Sequence, residues 1–369
     1  MRIGYDAKRA FNNTRGLGNY SRDTIRVMTS RYPDIQFDLF TPTTRPDIDF
    51  SFPANAVKIM PPTSFAGAWW RTFGITKEVK KRGVNLYHGL SHELPQGMEK
   101  TGVPTVVTMH DLIFLKHPEY YPYIDRKLYQ IKYLHSCRIA THIIAVSQQT
   151  KEDLQAIVGI PAEKISVVYQ GCHPQFLNEV SEERQQTFRQ QHGLPTDYML
   201  NLAAIEPRKN QLQLLKAMAE GGIDFPLVIA GRPTAYLEEL RRYVAEHLLD
   251  GKVYFLPDVA FEDLPTLYQG ASLFLYPSQY EGFGIPIVEA LQSGVPVIAT
   301  EGGCMEESGG PGSRYVNPED TEALSNQIQG ILSSPELQLE MKQQGKEYAK
   351  RFSDDNIACN IMNIYRNIL

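Results

Sequence analysis

Cysteine is scarce in this chain: its four cysteines in 369 residues, Cys137, Cys172, Cys304 and Cys359, lie far apart and form no Cys-X-X-Cys pair. That spacing supports neither a disulfide framework nor a zinc site and predicts free thiols, mostly buried. No run of about 18 uninterrupted apolar residues occurs, which argues against a membrane-spanning helix. The opening Arg2-Ile3-Gly4-Tyr5 resembles a strand rather than a signal peptide, so a cytoplasmic protein is expected. Low-complexity tracts are absent, and 42% hydrophobic with 21% charged residues describes an ordered globular chain long enough for two domains. An excess of positive charge is missing too. The net charge is −5, and without a binding motif nucleic acid is not an expected partner. The net value conceals a split: residues 1–180 hold 22 Lys and Arg against 16 Asp and Glu, and the remainder 15 against 26, or +6 and −11. A basic front half suits an anionic surface or a lipid-linked phosphate, and equally an uneven distribution without a partner.

Short apolar runs bounded by turn residues alternate with helical stretches. In the front half they are Ile3-Gly4-Tyr5, Phe37–Phe40, Val84–Tyr87, Thr105–Thr108, Ile143–Val146 and Ile165–Val168. A second series comprises Met199–Leu202, Leu227–Ala230, Val253–Leu256, Leu273–Tyr276 and Val295–Ile298. This is the pattern of two parallel sheets covered by helices, an α/β chain of two doubly wound units. The polar stretch 171–198 marks the boundary, giving domains of residues 1–172 and 173–352. Residues 353–369 begin with the N-cap Ser353 and two acids, then repeat Ile357, Ile361, Ile364 and Ile368 at helical spacing. They predict an amphipathic closing helix that needs a partner surface.

The densest chemical signal is Tyr280-Glu281-Gly282-Phe283-Gly284-Ile285-Pro286-Ile287-Val288-Glu289, a strand–glycine loop–helix junction. Glycines there admit close approach of a ligand, and the free N–H groups of a helix N-terminus bind phosphate. Glu281 and Glu289, expected about two turns into the helix, suit pairs of sugar and ribose hydroxyls. Arg208 and Lys209 follow a strand and open a helix, where cations are disfavoured unless they have an anion to hold. Gly16 and Gly18 lie between the first strand and a helix expected from about Asn19. They lack the full Gly-X-Gly-X-X-Gly spacing and downstream acid of a nicotinamide site, which counts against a dehydrogenase.

The glutamate pair with Gly-Phe-Gly and Pro between its members resembles the donor motif of family 4 glycosyltransferases. So, in order, do Arg15–Tyr20, His110-Asp111, Ala145-Val146-Ser147 and Ala204-Ile205-Glu206-Pro207-Arg208-Lys209-Asn210. The resemblance implies a GT-B fold: two Rossmann-like domains facing across a deep cleft, acceptor domain first and donor domain second, with the last helix crossing back. It implies a retaining transfer of a hexose from a nucleotide diphosphate sugar without a metal or other cofactor. GDP-mannose is the first expectation, then a UDP donor, with a glycan or lipid-linked acceptor in polysaccharide or lipopolysaccharide assembly. The catalytic residues would be His110, Glu281, Arg208 and Lys209. Donor binding would use Gly16, Gly18, Arg208, Lys209, Gly282, Phe283, Gly284 and Glu289. Acceptor contacts would include His88, His92 and Asp111. Many family members carry an arginine where this chain has Ala204, so Arg208 is expected to substitute. Residues 65–82, with Trp69, Trp70 and Lys77, Lys80, Lys81 and Arg82, suit a peripheral membrane contact, a buried aromatic face or an acceptor wall. An epimerase on the same fold and a non-catalytic sugar-nucleotide-binding protein are the competing readings.

Overall fold

The computed structural model describes residues 1–62 and 67–369, and the chain divides into two units, Met1–Gly171 with Phe352–Leu369, and Cys172–Arg351. The first unit carries β1 (Arg2–Asp6), β2 (Gln36–Phe40), β3 (Ala56–Ile59), β4 (Leu86–Gly89), β5 (Thr105–Met109), β6 (His142–Ala145) and β7 (Ile165–Val167). They form one parallel sheet in the order β3-β2-β1-β4-β5-β6-β7. The second carries β8 (Tyr198–Leu202), β9 (Leu227–Ala230), β10 (Val253–Leu256), β11 (Ala271–Tyr276), β12 (Val297–Thr300) and β13 (Arg314–Val316), in the order β10-β9-β8-β11-β12-β13. Each sheet is doubly wound, and its strand order reverses beside its first strand: between β1 and β4, and between β8 and β11. Ligands of open α/β sheets bind at such reversals, outside the carboxyl ends of the strands.

The central strands are buried on both faces, which is why they read as continuous apolar runs instead of alternating ones. Two buried clusters lie in the first unit, one around Ile3, Phe37 and Leu86, the other around Phe40, Tyr87 and Val107. The second unit packs around Met199, Leu215, Ile229 and Leu273.

The closing helix spans Asp354–Ile368, with the Ser353 hydroxyl accepting a hydrogen bond from the Asn356 amide. Ile357, Ile361 and Ile364 join the first unit's core together with Tyr365. Arg26, on the helix Gly16–Arg31, fixes its start by donating to both oxygens of Asp354 at 2.6 and 3.1 Å. The chain therefore returns to the first unit for its last 18 residues.

Candidate functional site

In the second unit the carboxyl ends of β8 and β11 bring Arg208, Lys209 and Glu281 together. Pro207 starts a 3-10 turn over Pro207–Lys209, and Asn210 adopts φ +57° before the helix Gln211–Gly221. Asparagine tolerates this left-handed conformation better than most residues. The two cations therefore sit in a separate turn just ahead of the helix, and Asn210 reverses the backbone between that turn and Gln211.

Glu281 is the hub. Its Oε1 pairs with Lys209 Nζ, lies 3.1 Å from an Arg208 guanidinium nitrogen, and accepts from Ser278 at 2.5 Å and Tyr276 at 3.2 Å. Arg208 also donates to the Tyr280 carbonyl at 2.6 Å and to Glu206 at 2.8 Å, which ties the β8 turn to the β11 loop. Burial alone pushes the Glu281 pKa up, but Lys209 and Arg208 outweigh it and bring it down to about 2. Burial lowers the pKa of Lys209 against the raising effect of Glu281. The arrangement is a desolvated cationic pair that shares Glu281 as its buried counter-ion, with the more exposed Glu206 as a second partner of Arg208.

The glycine loop continues into the helix Ile285–Gln292, entered through Gly284 at φ +105°. A side chain at Gly284 would be strained by that angle, and its Cβ would stand 2.9 Å from Ser308 Oγ. Glu289 is the fifth residue of this helix, just over one turn in rather than two. It is 9% exposed and accepts from Tyr268 at 2.8 Å. Gly282 is half-buried in the loop. The Phe283 side chain is buried, 3% exposed, which makes it a packing group; only its backbone is suited to face a ligand.

In the first unit His110 follows β5. Its Nε2 donates to the Leu90 carbonyl at 3.0 Å, Nδ1 lies 3.4 Å from the Gln170 amide, and Tyr20 meets the ring edge-to-face at 4.5 Å. Burial lowers its pKa to about 4, so it is a neutral imidazole at neutral pH. His92 is also buried, holds φ +64°, and stacks flat on Tyr133 at 4.3 Å. Asp111 accepts from the Ile113 amide at 3.1 Å and so shapes the loop. His88 departs from the acceptor role expected of it. It is fully buried in β4, with its ring nitrogens against Tyr365 at 2.6 Å and Thr108 at 2.8 Å, leaving no exposed atom for an acceptor.

Gly16 and Gly18 need a similar correction. The helix begins at Gly16, three residues earlier than expected, and the Gly18 amide already donates to the Arg15 carbonyl. A Cβ on Gly18 would lie 1.8 Å from the Asn13 carbonyl oxygen, so that glycine serves close packing of the turn. Gly16 stands exposed at the helix end. Of the stretch 65–82, Phe65 and Ala66 lie outside the described residues. Trp70 is buried against Phe40, while Trp69 is 61% exposed, so the two tryptophans part ways. Sequence reasoning did not assign Tyr276, Ser278, Tyr268, Tyr20 or Gln170. Tyr276 and Ser278 flank the end of a recognisable strand and were within reach of it; the others are joined to the site only by folding.

Residues 14–176 match the family model of glycosyltransferase family 4, and residues 184–348 that of glycosyl transferases group 1. The chain is 31% identical over 286 residues to O-antigen chain mannosyltransferase B of Escherichia coli, covering 76% of this chain and 74% of that protein. It is 29% identical over 253 residues to the O-antigen chain mannosyltransferase RfbU of Salmonella typhimurium, covering 68% and 66%. Among solved structures, Alr3699/HepE of Anabaena in complex with UDP is similar, with a TM-score of 0.74, 19% identity and 99% of each chain covered.

Proposed function

The chain belongs to glycosyltransferase family 4, and from that membership we propose that it moves mannose from a nucleoside diphosphate donor to a glycan or lipid-linked acceptor in polysaccharide or lipopolysaccharide assembly. The mannosyltransferase relatives support mannose, and GDP is the first candidate for the base, UDP the second.

The observation that carries the reading is the Arg208–Lys209 pair gathered on Glu281 at the reversal of the second sheet. When the bond from the sugar to the diphosphate breaks, negative charge builds on the leaving phosphate, and preorganised cations lower the barrier most where water is excluded. Arg208 and Lys209 take that task in this reading. The diphosphate replaces Glu281 as their counter-ion, freeing its carboxylate for sugar hydroxyls. The amides at Gly282–Gly284 and the helix N-terminus add partial positive charge, and Glu289 receives the ribose.

Transfer proceeds with retention. The acceptor oxygen bonds to the anomeric carbon on the face the phosphate leaves, and its proton passes to a phosphate oxygen. No metal takes part. In the first unit His110 offers Nδ1, which now meets Gln170 only at 3.4 Å, to a sugar hydroxyl.

An exposed apolar ridge on the helix Tyr123–Ile139 supports a peripheral membrane contact. Tyr123, Ile124, Leu128 and Ile131 are 51–73% exposed, and Arg126 and Lys127 lie among them. Among the described residues no helix is long and apolar enough to cross a membrane.

The test is a melting-temperature panel of GDP, UDP, ADP and dTDP with their sugar conjugates, run with and without EDTA, followed by radiolabelled transfer. Selective stabilisation by one nucleotide that survives EDTA is expected. Indifference to every nucleotide would overturn the donor site, and loss of the response in EDTA would overturn the metal-free mechanism.

A further inference from the structure

A cavity of about 100 Å3 in the first unit has no part in the chemistry described so far. Its walls include Asp6, Arg71, Glu93, Gln96, Lys132 and His135. Asp6 ends β1 and Glu93 follows the end of β4 by four residues. The cavity therefore stands at the reversal of the first sheet, where open α/β sheets hold ligands.

Arg71 is clamped there between two carboxylates. Its Nε and one terminal nitrogen reach the same Asp6 oxygen at 3.1 and 2.7 Å, and the other terminal nitrogen reaches Glu93 Oε2 at 2.7 Å. Lys132 Nζ stands 3.5 Å from that Glu93 oxygen. Desolvating such a cluster costs about as much as the pairing returns, so stability alone is a weak reason for it to line a cavity.

The cluster is also incompletely used. These three bonds occupy three of the five guanidinium N–H groups, and Glu93 Oε1 stands outside the ion pairs. His135 Nε2 is buried and has no hydrogen-bond partner among the described residues. The histidine χ2 torsion is soft and roughly two-fold, and a half-turn puts nitrogens where ring carbons now stand. The wall thus offers unused donors and unused acceptors side by side. Its two carboxylates balance its two cations, so an anion would meet as much repulsion as attraction. A polyol, whose every hydroxyl both donates and accepts, matches it.

We infer that this cavity is a subsite for the hydroxyl-bearing edge of one sugar residue of the acceptor, held by Arg71, Glu93 and His135. The inference rests on the glycosyltransferase reading above. The volume is well below the roughly 300 Å3 at which sites enclosing a whole ligand begin, which suits one ring edge and not an oligosaccharide.

The test uses the full chain, with the methyl α-glycosides of mannose, glucose and N-acetylglucosamine as probes and saturation-transfer NMR as the readout. At least one glycoside is expected to bind. His135→Phe, which removes both nitrogens and adds bulk at the cavity wall, should weaken that binding at least tenfold. His135→Gln, which restores a donor and an acceptor, should recover part of it. If the Phe variant shows no cooperative melting, Gln96→Ala carries the same expectation of weaker glycoside binding. Unchanged affinity in a folded variant, no glycoside binding to the parent chain, or displacement of the glycoside by inorganic phosphate overturns the subsite. A nucleotide-sugar melting shift measured alongside separates the failures: present, only the subsite falls; absent, the transferase reading falls with it.

Discussion

Glu281→Gln tests the proposed counter-ion exchange most directly, because it keeps the side chain's shape and removes only its charge. The carboxylate is 12% exposed and its pKa falls from the ordinary 4.5 to about 2. A depressed carboxyl pKa contributes stability that is present above the unfolded value and lost as pH falls through the folded one. The drop of about 2.5 units corresponds to roughly 3 kcal/mol at neutral pH, in line with the ~3–5 kcal/mol lost when one partner of a buried pair is removed. For a unit of about 180 residues, at ~2–4 °C per kcal/mol, melting should fall by roughly 6–12 °C. Lys209 then lacks its main counter-ion, and burial and Arg208 lower its pKa further. A lysine with a depressed folded pKa binds fewer protons folded than unfolded, so the variant should gain stability on going from pH 7 to pH 9. A nucleoside diphosphate supplies the missing anion, so its stabilising shift should be larger in the variant than in the parent. Differential scanning fluorimetry at both pH values, with and without nucleotide, reads all three effects. A variant that melts within 2 °C of the parent, or gains no more from the nucleotide, would refute the exchange.

Three further outcomes follow from the same geometry. Lys209→Met should weaken nucleoside diphosphate binding at least tenfold by calorimetry, since a buried charge-assisted contact is lost; unaltered affinity would remove Lys209 from the donor site. Burial lowers the pKa of His88 to about 3 and of His110 to about 4. The unfolded chain therefore binds more protons below pH 6.5, and stability should fall between pH 6.5 and 4 by up to ~1.4 kcal/mol per pH unit for each group. His88→Gln should flatten that slope in denaturant titrations, and an equal slope would count against the buried neutral state. Ile124→Asp combined with Ile131→Asp should reduce flotation with anionic vesicles while leaving nucleotide shifts intact; equal flotation of parent and variant would remove the ridge as a membrane contact.

The fold was legible where burial is symmetric. Strands covered on both faces, such as Thr105–Met109 and Leu227–Ala230, announce themselves as apolar β-branched runs. The two strands that the sequence does not reveal are β3 and β13, one edge of each sheet, whereas β7 and β10 at the opposite edges are legible. Ala56-Val57-Lys58-Ile59 buries only Ala56 fully, and Arg314-Tyr315-Val316 is three residues long. Edge position alone does not hide a strand; β3 is mostly exposed and β13 is short, so neither presents an apolar run. The segment 84–87 was read two residues early, because Val84 belongs to the core without belonging to β4.

The two candidate sites differ in legibility for a topological reason. Each stands where its strand order reverses, and each holds a cation pair beside carboxylates. In the second unit the groups come from two continuous segments directly after β8 and β11, so the motif survives in the linear order, and Arg208 with Lys209 and Glu281 could be named from it. In the first unit Asp6 is joined to Arg71 across 65 positions and Arg71 to Glu93 across 22, and Arg71 enters from a helical segment that follows no strand end of the reversal. No spacing rule connects such residues. Only the closing of β4 onto β1 does, and that pairing was predictable as a fold without revealing which side chain would arrive from outside the sheet. Residues expected to act from the same region, His88 above all, were instead drawn into the core by the closing helix through Tyr365. A sequence pattern thus identifies a site when the reversal strands themselves carry its chemistry. When a third segment supplies the central charge, the site becomes visible only in three dimensions.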